Sequence, residues 1–461
     1  MAGPLKELQE LDLLHWMTFG SYAGVVGGPA VSFEAVERRL PEAFADSSFV
    51  AGLLFRSVEL SGGLTPWGAR ALVWLCRNRA RAFSEVFHQT VNTAEELLLF
   101  ASAYTRAHRH WGRMAKEHIA QWIELRLTPE QALSHRKYHA RHAHSLADLV
   151  RLSHPAFGGR KSDAVAWLLR KWEPGDTGPW VLCREGADRQ ARREALTHYR
   201  VPSAVAEMVA GRDPELWTAA LPSLSEWAIL SALPWVATWV SPESLTALAG
   251  RLGALLPDPV ALVRVGWKIP VTPRTESLRA LLRDLLVSSA KALFRPPGRT
   301  LVLIERSGSI PPPFFREALA ASSFLPTRLC LVDDVVVDIP GGPRELLSNL
   351  GLYTPRGGYT PQRALQLALR EREPFDRILI FTREYPFTRE DSGPILAAVL
   401  ERYRATVNPD CLCTAVLPGG LPRTPGRPSH ADRLVYGTSR VPAVLPWLRS
   451  PGSILSAVRS K

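Results

Sequence analysis

WGRMAKEHIAQWIELRLTPEQALSHRKYHARHAHSLADLVRLSHP, residues 111–155, falls into three helical segments separated by short turn signals. Trp111, Ala115, Ile119, Trp122 and Leu125 recur at steps of three and four, which predicts one apolar stripe along the first helix. Arg113, Lys116 and Glu124 fall off that stripe. The second segment opens at Thr128, Pro129 and Glu130, an N-cap hydroxyl followed by proline at the first helical position, where a missing N–H costs nothing. The third opens at Ser145, with Asp148 three residues on, an acidic form of the capping box. His154 ends it, because Pro155 cannot continue a helix and disfavours helical geometry in the residue before it.

The groups these helices expose set the chemistry. Lys137 and Arg141 are four apart, so a helix would carry both on one face, one turn apart. Residues 101–172 hold 13 Lys and Arg against 5 Asp and Glu, together with 8 of the chain's 12 histidines. That clustering is the electrostatic footprint of a phosphate-binding surface; a solvated face of an Arg-rich protein is the alternative. Histidines add stacking on bases and hydrogen bonds to phosphate. No His-Glu-x-x-His motif or thiol cluster organises them as metal ligands.

The same stretch resembles the central signature of the TROVE-domain family of Ro ribonucleoprotein autoantigens. Trp111, Gly112, Arg113, Ile119, Trp122, Ala132, Leu133, Lys137, Tyr138 and Arg141 carry the resemblance, with the run SLADLVRLSHP from Ser145 to Pro155. It implies binding of small structured noncoding RNAs (Y RNA-like) and of single-stranded 3′ ends of misfolded RNAs, in RNA quality control or processing. It places Lys137, Arg141 and His154 on an RNA-binding outer face. Arg113 and Lys116, on the preceding helix, are candidates for further single-strand contacts. An exoribonuclease or RNA-repair protein is an implied partner.

The whole chain sets bounds. At 461 residues it can hold two or three domains with ample cores. A formal net charge of +12 favours an anionic partner, nucleic acid ahead of membrane. Arg supplies 48 of the 56 basic residues, however, beside abundant Ala, Leu and Pro, as a GC-rich (bacterial) coding sequence would give whatever the function. The clustering of charge therefore outweighs its sum. Five cysteines without C-x-x-C spacing (Cys76, Cys183, Cys330, Cys411, Cys413) fit the reduced cytoplasm. The N-terminus lacks a basic region followed by an apolar core, so no secretory signal is read. The most apolar stretch, Trp227 to Val240, is broken by Ser231 and Pro234, which argues against a membrane span. A monomer in the cytoplasm is expected.

In chain order, helices are predicted near 33–40, 66–81 and 93–108, with a glycine loop around Gly24, Gly27 and Gly28. After Pro155 they are predicted near 163–172, 189–199, 203–210, 214–219, 224–234, 242–256 and 276–294. Each is too small to bury its apolar face alone, which is the logic of stacked helical repeats. Phe19, Gly20 and Ser21 and the segment Tyr199 to Val240 extend the resemblance, which implies that residues 1–296 form a HEAT-like TROVE ring with a positively lined hole.

Composition shifts at Arg295, Pro296, Pro297 and Gly298, a helix stop and linker. Over 297–461, strands are predicted at 300–305, at 328–337 as a pair around Asp333 and Asp334, and at 377–382, 412–417 and 434–436. Helices near 313–322, 361–371, 391–404 and 441–449 alternate with them, predicting a doubly wound, Rossmann-like α/β sheet. Its loops resemble the metal-ion-dependent adhesion site of a von Willebrand factor A domain, which holds Mg²⁺ through an Asp-x-Ser-x-Ser run, a Thr and a distal Asp. Here Glu305, Ser307 and Ser309 stand for the run, Thr360 (or Tyr359, in the other alignment) for the Thr, and Arg383 for the distal Asp. A guanidinium in place of a carboxylate disfavours Mg²⁺, so no cofactor is expected. Arg383 is expected to take the metal's place and pair with Glu305; a weak metal site with Arg383 turned to solvent is the alternative.

Nothing assembles into an enzyme. Ser307, Gly308 and Ser309 lack the Gly-x-Ser-x-Gly elbow, and no phosphate-binding Gly-rich loop ends in Lys-Ser/Thr. Asp333 and Asp334 read as a turn. The 14 tryptophans sit at spacings that suit a core more than a base-stacking platform. A small noncoding RNA is the expected partner. The alternatives are a protein-interaction scaffold without RNA binding, or a metal-dependent adhesion-type module.

Overall fold

The computed structural model describes residues 3–21, 25–26, 31–39, 44–61, 63–136, 143–156, 161–169, 178–183, 187–199, 201, 203–224, 226–237, 240–241, 252, 259–270, 272–292, 298–307, 312–322, 328–339, 360–388, 393–418, 431–436 and 441. The helices expected near 242–256 and 441–449 thus lie almost wholly outside the described residues. Two compact units form, one from Pro41–Leu255 with Val265–Leu281, the other from Met1–Leu40, Leu256–Arg264 and Leu282–Lys461. The first forty residues are grouped with the C-terminal residues 282–461.

The first unit is helical. Ser47–Ser61 packs on Pro66–Arg77, and Pro66–Arg77 on Ala94–Ala107. Phe83–Thr90 and Leu146–Ser153 both pack on Arg113–Arg126. Thr65 caps Pro66–Arg77 with its hydroxyl on the Gly68 N–H, and Pro66 fills the first helical position. Phe83, Phe87 and Phe100 are fully buried, and the rings of Phe87 and Phe100 meet edge to face at 5.1 Å.

Glu96 ties two of these helices together. Its carboxylate completes the capping box of Ala94–Ala107 by accepting from the Thr93 N–H at 2.8 Å, while the Thr93 hydroxyl accepts from the Glu96 N–H. The same carboxylate accepts from the Asn92 N–H and, 32 residues back, from the Leu64 N–H, both at 2.8 Å. One buried anion therefore satisfies three backbone donors that would otherwise be orphaned.

Asp213 does related work further along. It caps Pro214–Ala220 through the N–H groups of Glu215 and Leu216 and takes both ends of the Arg189 guanidinium, at 2.6 and 2.8 Å.

Among the described residues, the second unit contains seven strands: β1 (Val25–Val26), β2 (Thr300–Glu305), β3 (Arg328–Val332), β4 (Val336–Ile339), β5 (Arg377–Phe381), β6 (Leu412–Leu417) and β7 (Arg433–Tyr436). They are ordered β1-β7-β6-β5-β2-β3-β4, and only β3 and β4 run antiparallel. Every residue of β2, β5 and β7 is buried, as parallel strands covered on both faces must be. Leu301, Leu303, Ile378 and Ile380 face a core shared with Ala364, Leu365, Leu396 and Leu400 of the helices Pro361–Arg370 and Gly393–Thr406. Val302, Ile304, Leu379 and Phe381 alternate to the other face.

From β2 the chain moves outward to β3 and β4, then returns to the other side of β2 as β5. The strand order reverses between β2 and β5, where sheets of this kind hold ligands beyond the strand C-termini. Asp333 and Asp334 form the β3–β4 turn, with Asp333 Oδ1 accepting from the Val335 N–H at 2.9 Å, which fits the turn read from the sequence.

Both carboxylates carry measurable stability. Glu96→Ala strands three N–H groups and lowers unfolding free energy by about 2–4 kcal/mol, whereas Glu96→Gln, which keeps one carbonyl acceptor, loses less; urea denaturation measures both. The Arg189 guanidinium, first, and the capped N–H groups hold the Asp213 carboxyl down at about 2. Its contribution is complete above its ordinary 3.8 and disappears as pH falls through about 2, so Asp213→Asn flattens the acid limb of a melting-temperature-against-pH curve over that window.

Candidate functional site

The helix Arg113–Arg126 is seated by its buried residues Ala115, Ile119, Trp122 and Ile123. Trp122 Nε1 donates to the Val91 carbonyl at 2.8 Å. Arg126 reaches the same carbonyl at 2.7 Å and that of His88 at 2.6 Å, so the last turn is anchored by a guanidinium. This rotates Ile123 inward and leaves Leu125, predicted for the apolar stripe, 70% exposed. The stripe thus bends at its C-terminal end, where Arg126 and not Leu125 faces the carbonyls that close the helix Phe83–Thr90.

Trp111 departs from the stripe at the other end. It precedes the Gly112 N-cap, is half-buried, and lies against the Tyr104 ring with centroids 4.5 Å apart and planes 14° from parallel. The Tyr104 hydroxyl accepts from the Gly112 N–H at 3.0 Å, and a Cβ at Gly112 would stand 3.0 Å from that oxygen. The His144 ring meets Trp111 edge-on at 5.6 Å and is itself held by the Thr105 hydroxyl at 2.6 Å.

The helix Leu146–Ser153 forms with the capping box read from its sequence: Ser145 and Asp148 exchange side-chain and backbone hydrogen bonds. Burial raises the Asp148 carboxyl, but the two bonds from Ser145 and the Arg151 and His144 charges bring it below its ordinary value. His154 ends the helix in the left-handed conformation, φ 49° and ψ 55°. A β-carbon makes that conformation costly, by about 1–2 kcal/mol, so the turn must be fixed by its neighbours. Pro155 is buried, and the Ala156 N–H donates to Glu124 Oε1 at 2.5 Å.

The turn sets His154 beside the 113–126 helix. Trp111, Arg113, Lys116, Glu124, Ser153 and His154 line a concavity of about 640 Å³. Arg113 is 92% exposed and pairs with Glu117 at 2.6 Å, an i,i+4 bridge that water and salt screen and that yields readily to another anion. The ring of His154 and the ammonium of Lys116 have no partner among the described residues. Three sequence-predicted residues, Arg113, Lys116 and His154, therefore come together. Lys137 and Arg141 lie outside the described residues. Sequence reasoning missed the rim residue Ser153 and read Trp111 as core; its place before a glycine N-cap, outside the helix, is the signal that could have found it.

Beyond the strand ends of the sheet, Glu305 closes β2 and is 1% exposed. Its Oε1 accepts from the Ser307 hydroxyl, and its Oε2 accepts from the Thr382 hydroxyl at 2.6 Å and the Arg383 N–H at 3.0 Å. Glu305 and Arg383 meet through the Arg383 backbone amide, in place of the guanidinium contact expected from the sequence. The backbone at the end of β5 already meets the carboxylate, leaving both oxygens occupied. Arg306 instead pairs with Asp333 through Nε at 2.9 Å and Nη2 at 2.5 Å, with both side chains buried. The Thr360 hydroxyl donates to the Asp333 carbonyl. Ser309 lies outside the described residues. A divalent cation here would meet one carboxylate whose lone pairs are already engaged by three donors, a poor fit to six or more hard oxygens.

The helix-rich chain with a mixed, mostly parallel sheet has a Ro-like fold. The solved structure of the Ro (RSR) protein of Deinococcus radiodurans matches it with a TM-score of 0.67 and 16% sequence identity, over 95% of this chain and 100% of that one. No protein-family model and no curated protein sequence matches the chain. No described helix is long and apolar enough to cross a membrane.

If Glu305 is a hydrogen-bonded tie between β2 and β5, Glu305→Ala frees three donors and costs about 2–4 kcal/mol in denaturant unfolding. Mg²⁺ at about 5 mM leaves the wild-type midpoint unmoved; a rise in midpoint with Mg²⁺ would show that the cation displaces these donors.

Proposed function

We propose that this chain is a Ro-type RNA-binding protein and not an enzyme. Its helical unit acts as a HEAT-like ring, and its sheet unit as a von Willebrand A-like domain that works without a metal. Small structured noncoding RNA (Y RNA-like) docks on the face bearing Lys137, Arg141 and His154, and single-stranded RNA ends engage the ring, in RNA quality control or processing. An exoribonuclease or RNA-repair protein is the partner class such an activity calls for.

The observation that carries this reading is the concavity where Lys116 and His154, unpaired among the described residues, stand beside the exposed, weakly tethered Arg113. A protein that used these groups for stability would pair them. Set beside a half-buried indole, they suit phosphate oxygens arriving with a polynucleotide, and the likeness to the Deinococcus radiodurans Ro (RSR) fold supports the same conclusion.

Filter binding of a small hairpin RNA across roughly 50–300 mM salt tests it. The wild type should bind with a steep negative slope of log K against log salt. Lys116→Glu and Lys137→Glu/Arg141→Glu should each weaken binding by roughly 10-fold or more and flatten the slope by about one unit for every phosphate left without its cation. Salt-independent binding, or variants that bind as the wild type does, would remove the RNA reading.

A further inference from the structure

The cations of the concavity account for phosphate but leave Trp111 unexplained. Trp111 is half-exposed and shares the concavity with Arg113, Lys116 and His154. Its ring is also fixed. Tyr104 backs one face almost in parallel, the Tyr104 hydroxyl holds the Gly112 N–H that follows, and His144, pinned by Thr105, abuts the ring edge-on. Tyr104 in turn packs on Phe100 at 6.0 Å, so the stack is rooted in the helical core.

An aromatic ring held this way loses little freedom when a second flat ring joins it, which is the preorganisation that makes stacking productive. Resting on the RNA-binding reading above, we propose that Trp111 is a stacking platform for a single unpaired nucleobase of the bound RNA. The base extends the Tyr104–Trp111 stack, while Lys116 and His154 take the phosphates on either side of it. The recognised class is a structured RNA with an unpaired purine next to its stem, because the larger ring stacks more strongly. A fully paired helix cannot deliver a base to Trp111 without first breaking a pair.

The test uses the full-length chain and hairpin RNAs sharing one stem closed by a non-nucleotide linker, so that no loop base is unpaired: blunt, or with a short unpaired tail of A or of U. Wild type should prefer the A-tailed hairpin over the U-tailed one, and both over the blunt hairpin. Trp111→Leu should lose roughly 5- to 150-fold in affinity for the A-tailed RNA, the span for one base–aromatic stack, and little for the blunt one. Trp111→Phe should keep most of the preference. Independently of any variant, 2-aminopurine at the first unpaired position should be quenched when wild type binds. Equal losses for tailed and blunt RNA in Trp111→Leu, or a brightening of 2-aminopurine on binding, would overturn the stacking role while leaving RNA binding in place. Failure of wild type to bind any of the three hairpins would instead overturn the RNA reading and this inference together.

Discussion

A single turn decides what the helical unit can do. The helix ending at Ser153 meets a proline two residues on, and His154 takes up a left-handed conformation that a residue with a β-carbon adopts only at a cost. The cost is offset by burial of Pro155 and by the Ala156 N–H on Glu124, which clamp the turn to the neighbouring helix. Because the turn is fixed, the imidazole projects into the concavity that the 113–126 helix lines, and the cations on that helix gain a neighbour from another. Strain, clamp and site are one arrangement.

The same matching of donors to acceptors governs the sheet unit by a different route. At the end of β2, Glu305 gathers hydroxyl and amide hydrogens around its carboxylate. A glutamate reaches one methylene further than aspartate and meets the N–H and hydroxyl groups at the end of β5, so no counter-charge is required of the Arg383 side chain. Arg306 and Asp333 form their own buried pair nearby.

Much of this was legible in the residues because it rests on local rules. The runs TLVLIE, RILIF and LCTAVL read as strands, and the capping pair at Ser145 and Asp148 fixes a helix start through hydrogen bonds three residues long. What escaped was decided at long range. Val25–Val26 is too short to show any period, and pairs with β7 some four hundred residues later. Gly3–Phe19 shows no apolar stripe because Leu11, Leu13, Leu14, Trp16 and Met17 are buried almost all the way round. Leu125 is exposed because Arg126 found carbonyls in another turn. At the site, residue types were readable but partners were not. Arg113, Lys116 and His154 could be nominated from charge and resemblance, whereas the openness of Trp111 and the saturation of Glu305 depend on which groups the fold brings together.

On the proposed function, RNA lies against the face that holds Trp111, Lys116 and His154. Photocrosslinking of the intact protein to a 4-thiouridine-labelled small RNA, followed by mass spectrometry of the crosslinked peptides, reads that placement directly. Crosslinks should concentrate in peptides spanning residues 111–156. Crosslinks confined to the strand-end loops after β2 and β5, with none in that span, would contradict it.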